Sequence, residues 1–146
     1  MIGAERVDFV AVPTRNRERA MMEIRKLDFV GVPSKDAERS RAFYVETLGL
    51  QPDEHSKHEV WAGETCLAIY EPTQFGMEFA PQKNGAFALR VDDVHATRKE
   101  LEEKGVQFSG ETFDTGVCHM ALFTDPDGND VMLHRRYAPY TGDSNT

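Results

Sequence analysis

L-F-T-D-P-D-G-N-D-V-M-L-H, residues 122–134, holds the clearest turn signal in the chain. Pro126 pre-sets φ for the second turn position, Asp125 can bond back to the backbone, and Gly128 accepts a left-handed conformation. The flanks A-L-F and V-M-L read as two largely buried strands, so the whole stretch is a hairpin. D-P-D-G-N alone is a common turn. Its meaning depends on what it places on the second strand, above all Met132, and on what precedes it.

Working back, Ala86 to Val91 reads as a strand, and Asp92 or Asp93 caps a helix that stops at Lys104-Gly105. Val106–Phe108 resumes as strand, and strands around Val117–Phe123 and Val131–His134 complete a unit. The same order occurs earlier in the chain. Leu27–Val32 is a short apolar strand, and Ser34 or Asp36 caps a helix running to Leu48, with Gly49 as its left-handed stop. On that helix Phe43, Thr47 and Leu48 share one side with Ser40. Strands follow at Glu59–Ala62 and Thr65–Tyr70. Phe29 and Ala86 are 57 residues apart, and the helix-stop glycines Gly49 and Gly105 are 56 apart. The expected fold class is therefore α+β, two tandem βαβββ modules whose sheets form a cleft. Module one spans 27–71 and module two 85–137. Residues 72–84, rich in proline and without periodicity, join them as a linker, and 138–146 form a polar tail.

The N-terminus carries a repeat. Residues 7–20, V-D-F-V-A-V-P-T-R-N-R-E-R-A, match 27–40, L-D-F-V-G-V-P-S-K-D-A-E-R-S, at seven of fourteen positions. A unit of this length occurring only twice is too little for a solenoid. It reads as a local duplication of the first strand, making 1–24 an extension and 25–137 the domain.

Composition excludes several classes of function. A chain of 146 residues with 40% hydrophobic and 29% charged residues is a globular domain that needs no staples to bury a core. A net charge of −8 opposes a nucleic-acid partner, which requires a basic patch. Cys66 and Cys118 lack disulfide or C-x-x-C spacing and read as reduced thiols in a cytoplasmic protein. No apolar run approaches a membrane span.

Three stretches, V-P-S-K-D-A-E-R-S-R-A-F-Y-V-E-T-L-G-L, A-L-R-V-D-D-V and F-T-D-P-D-G-N-D-V-M-L, together resemble the vicinal oxygen chelate superfamily. That group includes glyoxalase I, extradiol dioxygenases and bleomycin-resistance proteins. The resemblance covers roughly residues 25–137 and implies paired βαβββ units forming a cleft, usually in a homodimer. It also implies four metal-ligand positions, which here are Phe29, Ala68, Ala86 and Met132. None carries a nitrogen or an anionic oxygen, whereas a catalytic divalent ion needs about three protein ligands. Glu71 follows Ala68 by three residues, with opposite strand parity. His134 shares a strand face with Met132 but lies about 6.5–7 Å along. The expectation is a degenerate site with no metal and no cofactor.

Strand alternation then gives the cleft a ligand-binding lining of Phe29, Gly31, Ala68, Tyr70, Ala86, Arg90, Met132 and His134, to which Trp61 adds aromatic surface. Small residues leave room, aromatic and thioether groups supply flat polarizable surface, and Arg90 and His134 suit an anionic or phenolic group. The expected function is binding of a small aromatic or anionic molecule. Two alternatives remain: a metal-dependent lyase, isomerase or dioxygenase, and a metal-free enzyme with His134 or His119 as general base. Cys118-His119 makes a poor nucleophile and base because strand neighbours point to opposite faces. His55 and His58 read as solvated in a polar loop placed to overhang the cleft, His95 as surface, and the run at 99–104 as an exposed helical face.

Overall fold

The computed structural model describes residues 22–139. The duplicated stretch at 7–20 and the end of the tail, 140–146, lie outside the described residues. Module one contains β1 (Val30–Pro33), α1 (Ala37–Ala42), β2 (Gln51–Pro52), β3 (Glu59–Ala62) and β4 (Thr65–Tyr70). Module two contains β5 (Phe87–Arg90), α2 (Val94–Glu103), β6 (Phe108–Asp114), β7 (Cys118–Thr124) and β8 (Asp130–Arg136). Each forms a four-stranded mixed sheet in the same order, β1-β4-β3-β2 and β5-β8-β7-β6. First and last strands of each module pair in parallel, while the other pairs are antiparallel. No described helix is long and apolar enough to cross a membrane.

Both helices start where the sequence places a cap. Asp36 Oδ1 accepts from Arg39 N, and Asp93 Oδ1 accepts from Ala96 N. α1 passes into a π-helical turn over Phe43–Thr47, in which Leu48 N donates to Phe43 O. The wider turn seats Tyr44, fully buried, against Val32, Val60, Leu67 and Ile69. The second core gathers Val94, Leu101, Ala121, Phe123, Val131 and Leu133. Phe43, Leu48 and Phe87 pack against both cores, so the helix-covered sides of the two sheets share one interior.

Some boundaries differ from the sequence expectation. The first strand begins at Val30, and Leu27 is 73% exposed. Val30 pairs with Leu67, so residues three places upstream run past the end of β4 and find no ladder partner. The strand expected at Val106–Phe108 instead spans Phe108–Asp114, with Val106 packed in the core before it begins. Its polar sequence hides it, and the register shifts between Ser109 and Phe113, where Gly110 takes φ 71°.

The 125–129 turn does more than close a hairpin. Within it, Asp125 Oδ1 accepts from the backbone N–H of Asp127 and Asn129, and Gly128 sits at φ 87°. Across the modules, Tyr44 Oη donates to Asp125 Oδ2 at 2.7 Å and Asn129 Nδ2 donates to Pro33 O at 2.8 Å. Asp127 Oδ1 accepts from Lys35 N and from Arg39 Nη2. A turn of module two thus satisfies the end of β1 and the start of α1 in module one.

Candidate functional site

One side of each sheet is covered by helix, which leaves the other side of the first sheet open. Cross-strand register sets Gly31 beside Ala68 and Ala68 beside Glu59, one row across three strands. The two small residues form the floor of a cavity of about 650 Å³. Tyr70 leans over that floor: a Cβ at Gly31 would meet Tyr70 Cε1 at 3.3 Å. Phe29, 54% exposed, and Tyr70 form the walls, and Phe75 meets Tyr70 edge-on at 6.4 Å between centroids. Phe75 and Met77 come from the segment read as a linker. A 3₁₀ turn over Pro72–Phe75, ended by left-handed Gly76, folds these side chains over the mouth.

The polar groups of the cavity are few. Glu71 accepts from Ala37 N at 2.8 Å and from Gln74 Nε2 at 2.9 Å, so its carboxylate is already committed to the start of α1 and the 3₁₀ turn. Ser56 Oγ accepts from His58 N. Among the described residues the Glu59 carboxylate has neither a hydrogen-bond nor an ion-pair partner, and the same holds for the Tyr70 hydroxyl. Among the described residues no lysine or arginine lines the cavity.

The expected site residues divide between the two sheets. Phe29, Gly31, Ala68 and Tyr70 surround the cavity. Trp61 lies on the same sheet, opposite Cys66, but its indole N–H donates to Asp53 Oδ1 at 2.9 Å and it is not part of the lining. Asp53 also accepts from the N–H of His55 and Ser56, and these bonds, Trp61 first, hold its carboxyl below the ordinary range. Ala86, Arg90, Met132 and His134 belong to the second module, where Arg90 pairs across β5–β8 with His134, and none of them reaches this cavity. Arg90 instead edges a smaller cavity of about 390 Å³ between the modules, with Val30, Leu50, Leu67 and Phe87. Lining residues missed by sequence reasoning include Glu59, Gln74, Phe75 and Met77, while that reasoning considers Glu71 and the His58 loop without assigning them to the site. Strand parity relates Glu59 to Ala68, whereas the others come from irregular backbone with no periodicity to follow.

The histidine and cysteine candidates also have defined surroundings. His119 Nε2 lies 3.4 Å from Asp114 Oδ2, and its ring is flanked by His95 and Tyr137. Cys118 is buried with its thiol 3.1 Å from Thr115 Oγ1, and burial pushes the Cys66 thiol up. His134 faces Met120 and Arg90 across its two neighbouring strands.

A metal fits poorly. The four positions that the resemblance implies as ligands, Phe29, Ala68, Ala86 and Met132, offer a phenyl ring, two methyl groups and a thioether, which are not hard donors for a catalytic divalent ion. Among the described residues no three His, Cys, Asp or Glu side chains are grouped so as to hold an ion.

The chain belongs to the Glyoxalase/Bleomycin resistance protein/Dioxygenase superfamily, whose model matches residues 26–133. Among solved structures it is similar to TnmS3, an antibiotic binding protein from Streptomyces sp. CB03234. Identity is 31% over 79% of this chain and 98% of that one, with a TM-score of 0.62. A glyoxalase/bleomycin resistance protein from the same organism is 32% identical over 73% of this chain and 97% of the other, with a TM-score of 0.56. A superfamily member from Sphaerobacter thermophilus shares the fold at 24% identity and TM-score 0.64, over 76% and 97% of the two chains. No match to a curated protein was found.

Proposed function

We propose that the protein is a non-catalytic binder of a small aromatic molecule, held in the cavity on the open side of the first sheet. The observation that carries this reading is the lining itself: a floor of Gly31 and Ala68 under a ring of Phe29, Tyr70 and Phe75. A cavity of about 650 Å³ falls within the range of drug-sized ligand sites, which are mostly apolar with few polar groups. Similarity at 31% identity to an antibiotic binding protein supports the same class of activity. The enzymatic readings have less behind them. Metal-dependent chemistry lacks donors at Phe29, Ala68, Ala86 and Met132. A general base must reach a substrate proton, and the two expected as bases, His119 and His134, do not line the cavity.

Two chains pair in this proposal, so that the open face of one second sheet, with Arg90, Met132 and His134, covers the open side of the partner's first-sheet cavity. The test of binding is a thermal-shift screen with planar aromatic compounds. A ligand at 100 times its dissociation constant stabilises the fold by about 2.7 kcal/mol. Ala68→Phe fills the floor and is expected to abolish the shift while the variant remains folded. A ligand that stabilises Ala68→Phe as well as the native chain would bind elsewhere and sink this reading.

A further inference from the structure

Among the described residues, Glu59 is the one carboxylate lining the cavity that is left uncommitted. Glu71 is tied to the N–H of Ala37 and to Gln74, whereas Glu59 has no hydrogen-bond or ion-pair partner among the described residues. It is partly buried and stands next to Ala68, at the end of the row that forms the floor. A ligand lying on Gly31 and Ala68 therefore takes water away from this carboxylate. Covering an ionised group without a partner is costly, while a cation or a charge-assisted donor removes the cost. The walls favour the same kind of ligand. Aromatic faces attract cations, and Phe29, Tyr70 and Phe75 provide three rings around the space. Among the described residues no lysine or arginine lines the cavity to neutralise Glu59 from within. We infer that the cavity selects flat aromatic cations, with the positive group set against Glu59, over neutral and anionic compounds of the same shape. This rests on the binding reading above and narrows its ligand class. If the partner's Arg90 face closes the cavity, the preference persists at the Glu59 end and disfavours a second positive charge at the far end.

The experiment is fluorescence titration of the full chain with two matched probes, cationic 9-aminoacridine and anionic acridine-9-carboxylate. The native protein is expected to bind the cation at least tenfold more tightly, a difference of about 1.4 kcal/mol. Glu59→Gln should remove that preference, and Phe29→Ala should weaken the cation through loss of the wall. Binding of both probes with equal affinity, or tighter binding of the anion, would overturn the charge selection while leaving the aromatic-binding reading intact. Binding of neither probe would count against both. A preference that survives in Glu59→Gln would assign the selection to another group and overturn the role given to Glu59. The comparison of the two probes on the native chain holds even if a variant misfolds.

Discussion

Asp125 holds more of the molecule together than a hairpin turn requires. One oxygen closes the turn on the N–H groups of Asp127 and Asn129, and the other accepts from Tyr44 Oη and Asn129 Nδ2. Tyr44 is fully buried, and a hydrogen bond to a charged acceptor is worth about 1.5–3 kcal/mol. Tyr44→Phe keeps the ring and removes that bond, so it is expected to cost about 2 kcal/mol in urea unfolding. Asp125→Ala should cost more, because it also strands buried donors of the turn. Burial, then the nearby carboxylate, raises the Tyr44 pKa far above its usual value. The sign follows directly: the unfolded phenol ionises near pH 10 and the folded one does not. This contribution is therefore complete below that pH and is lost as pH rises above it. A native chain whose alkaline loss of stability matches that of Tyr44→Phe would contradict the assignment. The local chemistry of the turn was readable from D-P-D-G-N, but its bonds to Tyr44 and Pro33 were not. Their partners lie 81 and 96 residues away, and nothing in a local pattern encodes that distance.

The β3 strand and the loop before it make an element whose state a single chromophore reports. The chain has one tryptophan, and Trp61 on β3 donates to Asp53 at the start of the loop. Asp53 also receives the N–H groups of His55 and Ser56, which fixes the loop that brings His58 to the cavity. Its carboxyl is held low by these bonds, so the ordering is present above the ordinary carboxylate range and is lost as pH falls through the lowered folded value. Tryptophan emission is expected to change with a midpoint below the usual aspartate pKa of about 3.9, and Asp53→Asn should remove that transition. A midpoint at or above that value would mean that the bond to Trp61 does not hold in solution. Elements of this regularity were easy to read: β3, β4, both helix caps and both stop glycines stand where period and capping residues put them. The wall formed by Phe75 and Met77 was not. E-P-T-Q-F-G-M combines proline, glycine and exposed apolar groups, which is also how an ordinary linker reads, and only the fold of the neighbouring β1 and β4 gives those side chains something to cover. Alternation likewise assigned Ala86, Arg90, Met132 and His134 an inward direction, yet parity fixes a face within one sheet and cannot say which surface that face meets.

The two modules share an interior on their helix-covered sides, so among the described residues each sheet keeps an open face, and both faces carry apolar groups. Phe29 stands on the first and Leu122 and Phe113 on the second, with Phe113 60% exposed. Met132 lies directly across from Leu122. Exposed apolar groups gathered on one face are a recognised mark of an association surface. A two-fold pair would bring the first face of each chain against the second face of the other, as the commonest closed symmetry allows. Light scattering at micromolar concentration is therefore expected to give about twice the 16.5 kDa chain mass. Leu122→Lys places a charge in the middle of the second face, away from the helix-covered core, so it should yield a folded monomer. If the cavity depends on its partner, that monomer also binds an aromatic ligand at least tenfold more weakly, although Leu122 does not line the cavity of its own chain. A native chain that is monomeric at every concentration yet binds with full affinity would show the opposite: that the first-sheet cavity needs no second surface, and that Arg90 and His134 have no part in it.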